Sequence, residues 1–182
     1  MKNIFASILV TTALLAASTV SYAATADQKA SYKAAKETAA ADYKTNKAKC
    51  ATMSGNAKDV CVEEAKAMRT KTKEEVEAAY KNTDKARANA RKEIAEADYG
   101  VAKAKCGAKS GNDKDVCIKE AKAAKEVSVA DAKADKKVTE ARKDATSDIR
   151  DAEYKVATEK CDALAGAPKD ACIASAKSKY GK

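Results

Sequence analysis

Two apolar patterns divide the chain. The first is a continuous run from Ile4 to Ala17, entered from Lys2 and left through Ser21-Tyr22-Ala23. A basic start, a short apolar run and a small-residue exit are the three parts of a secretory signal. The run, about 14 residues, is shorter than the roughly 20 a membrane-spanning helix needs. Residues 1–23 are therefore expected to be a signal peptide removed before Ala24, and no Cys stands at that junction to carry a lipid anchor. Beyond it the apolar positions thin out and recur three or four residues apart. The recurring series are Tyr43, Asn46, Cys50 and Met53; Tyr99, Ala102, Cys106 and Lys109; and Tyr154, Ala157, Cys161 and Leu164. This heptad-like stripe predicts helices that approach closely through small side chains, continuing after the next Cys through Ala65 and Met68, or Ala121 and Ala124.

The three series belong to three copies of one unit, at about residues 41–67, 97–123 and 152–177. The first reads ADYKTNKAKCATMSGNAKDVCVEEAKA, and the others keep its Tyr, Cys, Gly, Asp and Cys in register. Such self-similarity is the mark of a repeated supersecondary unit. Each copy holds two Cys eleven positions apart: Cys50 and Cys61, Cys106 and Cys117, Cys161 and Cys172. On one continuous helix that separation is about 16 Å of rise, whereas a disulfide needs Cα atoms within about 7 Å. The chain must reverse between them. Six Cys allow fifteen pairings, and recurrence within each copy around a glycine selects the three local ones.

The reversal is expected at Gly55, Gly111 and Gly166, each ending a helix in the left-handed conformation that glycine adopts cheaply. Asn56 and Asn112 are then expected to cap the returning helix, with Asp59, Asp115 and Asp170 near its positive end and Pro168 at the first helical position of the third copy. Between turns run segments of about 45 to 50 residues. They either continue unbroken, as a thin antiparallel bundle on the order of 70 Å long, or break at Asn82-Thr83-Asp84 and Thr146-Ser147-Asp148, whose side chains favour caps.

Composition limits the core. After residue 23 the larger aliphatics are nine Val, four Ile and one Leu, with no Phe. That is about 9% of the length, well below the roughly 20% under which disorder becomes the compositional default. Ala, Lys and Glu are strong helix formers, however, and Pro168 is the single Pro. The fold class expected is all-α: three disulfide-stapled antiparallel hairpins in series, forming an elongated bundle or coiled-coil-like rod in 24–182.

Charge and chemistry narrow the function. The formal net charge is +9, one of which leaves with Lys2. Such a balance suits lipid head groups, acidic polysaccharide or nucleic acid, yet Lys alternates with Asp and Glu, as on a solvated helix face. There is no His, so the commonest general base and metal ligand is missing. The Cys spacing matches neither zinc ribbons nor Cys-x-x-Cys redox motifs, and no phosphate-binding, dinucleotide or nucleophile-elbow motif occurs. No catalytic, cofactor or metal residue is assigned.

The tripled Tyr-x6-Cys-x10-Cys pattern and the Ala/Lys composition together resemble the Ala/Lys-rich exported helical proteins of Gram-negative bacteria, loosely similar to TolA in composition only. That resemblance implies an envelope setting and an extended helical role. The function expected is a non-enzymatic periplasmic or secreted protein with a structural, envelope-stress or protein-interaction role. The alternative is a binding module for anionic envelope components through Lys-rich helix faces. Its partner is accordingly an envelope protein, an anionic polymer or a membrane surface.

Overall fold

The computed structural model describes residues 26–182, so the expected signal segment lies outside the described residues. Five helices follow in order: α1 (Ala26–Lys49), α2 (Gly55–Lys81), α3 (Asp84–Lys105), α4 (Gly111–Cys161) and α5 (Ala167–Tyr180). Short 3-10 turns, Cys50–Thr52 and Cys106–Ala108, finish α1 and α3. Each helix packs on the one before and the one after it. The fold is therefore an antiparallel helical array in chain order, as the hairpin reading requires.

Its interior matches the composition. The buried apolar residues are Ala39, Ala65, Ala78, Ala90, Ala95, Ala132 and Ala176, with Cys50, Cys106 and Cys161 the largest fully buried side chains. Ala lets helix backbones come close, and no polar side chain is buried among the described residues. The three bridges lie where spacing put them, joining Cys50 to Cys61, Cys106 to Cys117 and Cys161 to Cys172, with Cα separations of 5.6, 5.7 and 5.7 Å. Each Tyr series points inward as far as its Cys and then turns out: Tyr43, Tyr99 and Tyr154 are half-buried, whereas Met53, Lys109 and Leu164 are exposed. On the return the inward face keeps Ala65 and Ala121 but leaves Met68 and Ala124 in solvent.

The two candidate breaks behave differently. At the first, Asn82 takes a left-handed conformation (φ 46°, ψ 41°), and Thr83, extended, accepts the Ala86 N–H on its hydroxyl at 3.1 Å. This is an αL stop followed by a side-chain cap. At the second there is no break. Thr146 instead donates its hydroxyl to the Arg142 carbonyl at 2.8 Å, and α4 continues for 51 residues. At 1.5 Å per residue it is about 75 Å long.

That length sets the plan of the molecule. The stapled turns of copies one and two sit side by side, while the turn of copy three lies at the far end of α4. α3 is paired along α4 as far as the Lys143 to Asp84 ion pair, and α5 as far back as Asp151, which meets Lys182 at 2.5 Å. Every residue from 140 to 150 is exposed. One bare stretch of helix thus joins a four-helix unit to a two-helix unit.

Candidate functional surface

The stapled turns are the best-defined local geometry in the chain. In copies one and two the outgoing helix tightens into its 3-10 turn, with the Met53 and Lys109 amides donating to the Cys50 and Cys106 carbonyls at 3.1 and 3.0 Å. Two extended residues follow, Met53-Ser54 and Lys109-Ser110, and then Gly55 and Gly111 at φ 55° and 53° open the next helix. The glycines do hold the left-handed conformation. They sit at the start of the returning helix, however, not at the stop of the outgoing one, because the 3-10 turn and two extended residues have already reversed the chain.

That shift corrects the capping assignment. Ser54 and Ser110 occupy the cap positions without a side-chain cap hydrogen bond, and Asn56 and Asn112 lie inside the helix. Asp59 and Asp115 fall beyond its first turn, which in α4 carries Asp113 instead. In copy three Gly166 is the cap position and Ala167 the first helical residue, so Pro168 is second, and Asp170 does lie in the first turn.

Asn56 has another use that the sequence reading missed. Its side-chain amide donates to the Ala104 carbonyl at the end of α3 at 2.7 Å, tying the first stapled turn to the second. Gly107 makes room for it: a Cβ there would lie 2.3 Å from Asn56 Nδ2. The signal was present, since copy two has Gly after its first Cys where copy one has Ala51 and copy three Asp162.

The tyrosines are packing residues with cations laid against them. Arg69 stands 5.3 Å from the Tyr43 ring centre and Lys125 4.7 Å from that of Tyr99, while Tyr154 meets Tyr180 edge-on at 6.4 Å. At the open end of α1 and α2, Tyr32 stacks on Tyr80 at 4.4 Å beside an open cleft of about 750 Å³ lined by Ser31, Ala35 and Val76. The two rings cover each other, so one face of each is already taken.

Part of the charged surface is paired: thirteen Lys and Arg among the described residues stand in ion pairs. Between helices, Lys105 meets Glu64 and Lys125 meets Glu96, both at 3.0 Å, and Arg91 pairs with Asp135. Lys143 first, then Arg87, hydrogen-bond the Asp84 carboxylate and hold its pKa below the ordinary value. Lys182 does the same for Asp151, and Lys81 for Glu77. Hydrogen bonds to Glu63, Glu74, Glu77 and Asp162 raise Lys66, Lys73, Lys81 and Lys169 respectively. These groups are near the surface, so each pair contributes little.

Among the described residues no group of three or more His, Cys, Asp or Glu could hold a metal ion, and no helix is long and apolar enough to cross a membrane. Three intramolecular disulfides mark an oxidising, non-cytoplasmic compartment. No protein-family model, curated protein or solved structure matches the chain.

Proposed function

We propose that this chain is a non-enzymatic helical protein of the periplasm or extracellular space, acting in the cell envelope as a scaffold for protein contacts. The observation that supports this most is the plan of α4. It carries one helical unit at its N-terminal half and a second at its C-terminal end, with a bare exposed segment between. Disulfides at the turns stabilise such thin hairpins without a thick core, which suits display of long surfaces.

The interleaving of Asp and Glu with Lys along the helices, without a long basic run, supports protein contacts over a general polyanion grip, because alternating signs build no extended single-sign field. The test is capture from periplasmic extract by the oxidised chain lacking residues 1–23, run beside co-sedimentation with anionic vesicles and cell-wall polymer. Capture of an envelope protein that persists at about 0.5 M salt is the expected result, since exposed charges are strongly screened there. Binding confined to vesicles or polymer, and falling steeply with salt, would replace this reading with the anionic-surface module.

A further inference from the structure

Five large apolar residues are left in solvent on α4, and all but Val156 are spaced regularly. Val116, Val127, Val138 and Ile149 stand eleven residues apart and are each between 44% and 60% exposed. Eleven residues make close to three helical turns, so the four share one face. Between them fall Lys119, Ala123, Ala130, Ala134, Ala141 and Ala145, with Ala152 beyond, all exposed. The stripe thus follows a three-four-four pattern, the eleven-residue repeat by which long helices pair. α3 lies on the opposite face, against Cys117, Ile118, Ala121, Val129 and Ala132, which are half-buried or buried. Among the described residues the stripe has no partner.

We propose that this face of α4 binds the same face of a second copy, antiparallel. The flanking charges select both occupant and direction. On one side of the stripe stand Glu120, Asp131, Arg142 and Glu153; on the other, Asp115, Glu126, Lys137 and Asp148. In a parallel in-register pair, residues five apart meet across the seam. That sets Glu126 against Asp131, Lys137 against Arg142 and Asp148 against Glu153, like charges throughout.

In an antiparallel pair with its two-fold axis near Ala130, Glu120 of one copy meets Arg142 of the other, and Glu126 meets Lys137. Symmetry makes four ion pairs. The same register sets each Val on an Ala: Val116 on Ala145, Ala123 on Val138 and Val127 on Ala134. Like charges remain at three points, Asp131 against its own copy at the axis and Asp115 against Asp148 at each end. Among the described residues Glu120, Lys137 and Arg142 make no ion pair. The overlap, about 45 Å long and ~10 Å wide, covers on the order of 900 Å² in total. That is the size of a weak reversible contact.

The test uses the full oxidised chain lacking residues 1–23, by sedimentation equilibrium from about 10 μM to about 1 mM. A mass rising towards the dimer is expected. Val127→Lys should abolish it with the circular dichroism spectrum unchanged, since the side chain is exposed. Arg142→Glu should weaken it about tenfold and the Glu120→Arg/Arg142→Glu double variant restore it, whereas Asp131→Asn should tighten it about two- to fivefold. Ala130→Cys should cross-link the copies. A monomer at every concentration overturns the proposal, including one that instead binds anionic vesicles through Val127. Cross-linking by Ile149→Cys, whose copies meet only in a parallel pair, overturns it equally.

Discussion

Replacing Cys161 and Cys172 together by Ala should release α5 while leaving the rest of the fold in place. α5 has 14 residues, close to the length at which an isolated helix is marginal in water. Its anchors besides the bridge are few: buried Ala176, half-buried Ile173, the Tyr154–Tyr180 edge contact, and the Lys169–Asp162 and Lys182–Asp151 ion pairs. Closing a loop across eleven positions stabilises by about 3 kcal/mol in the chain-entropy model. Losing it raises the opening equilibrium of α5 about 100-fold. Ala is the right replacement because Cys161 is fully buried and Ser would leave a buried hydroxyl. Hydrogen exchange read by mass spectrometry should show the amides of 171–180 accelerating about 100-fold and those of α2 and α3 unchanged. If α5 exchanges as slowly without its bridge, packing alone holds it and the role given to the staples is wrong. If α2 and α3 accelerate with it, the two units are one.

Other expectations follow from single contacts. Gly107→Ala should cost about 1 kcal/mol by displacing the Asn56 amide from the Ala104 carbonyl, and the cost should largely vanish in an Asn56→Ala background; a double-mutant cycle in urea with no coupling would discard that contact. Thr83→Ala should cost about 1 kcal/mol in the same assay by removing the cap on α3, whereas Thr146→Ala, which has no cap to lose, should be neutral or slightly stabilising. The pH dependence has two edges. Asp84, Asp151 and Glu77 have lowered pKa values, so their contributions are present above the ordinary carboxylate range, about pH 4, and are lost as pH falls through it. Lys66, Lys73, Lys81 and Lys169 are raised, so theirs are present below about pH 10 and are lost as pH rises beyond. Melting temperature should therefore be flat from about pH 5 to pH 9 and fall on both sides; a monotonic profile through neutrality would contradict these pairings.

The pairing of the six Cys was legible because it rests on arithmetic: eleven residues of helix are too long for a disulfide, so a turn is forced whatever its details. The details were not forced. Gly55 and Gly111 announced a left-handed residue but not which helix it belongs to, since that depends on where the 3-10 turn after Cys50 or Cys106 ends. The two candidate breaks looked alike as clusters of Thr, Ser and Asp. They differ in the residue that opens them: Asn82 can adopt the left-handed conformation that stops a helix, while Thr146, branched at Cβ, cannot do so cheaply and bonds back into its own helix. Asn56 was misread for a related reason. Asn after Gly is a good local cap, and only the missing Cβ of Gly107, 51 positions away in sequence, frees its amide for the neighbouring turn.

The same three bridges thus serve two unequal units. In the first, copies one and two lie side by side, so each staple is reinforced by a neighbour, by the Asn56 contact and by the ion pairs from Glu64–Lys105 to Asp84–Lys143. In the second, α5 has only the end of α4. Between Lys143 and Asp151 no other helix among the described residues covers α4, and helix propensity alone must hold that stretch, which for a few residues is a weak constraint. Stability should accordingly decline along the chain from the paired turns towards α5, although bridge geometry and sequence repeat almost unchanged. What differs between the copies is the number of helices against which each can lay its alanines.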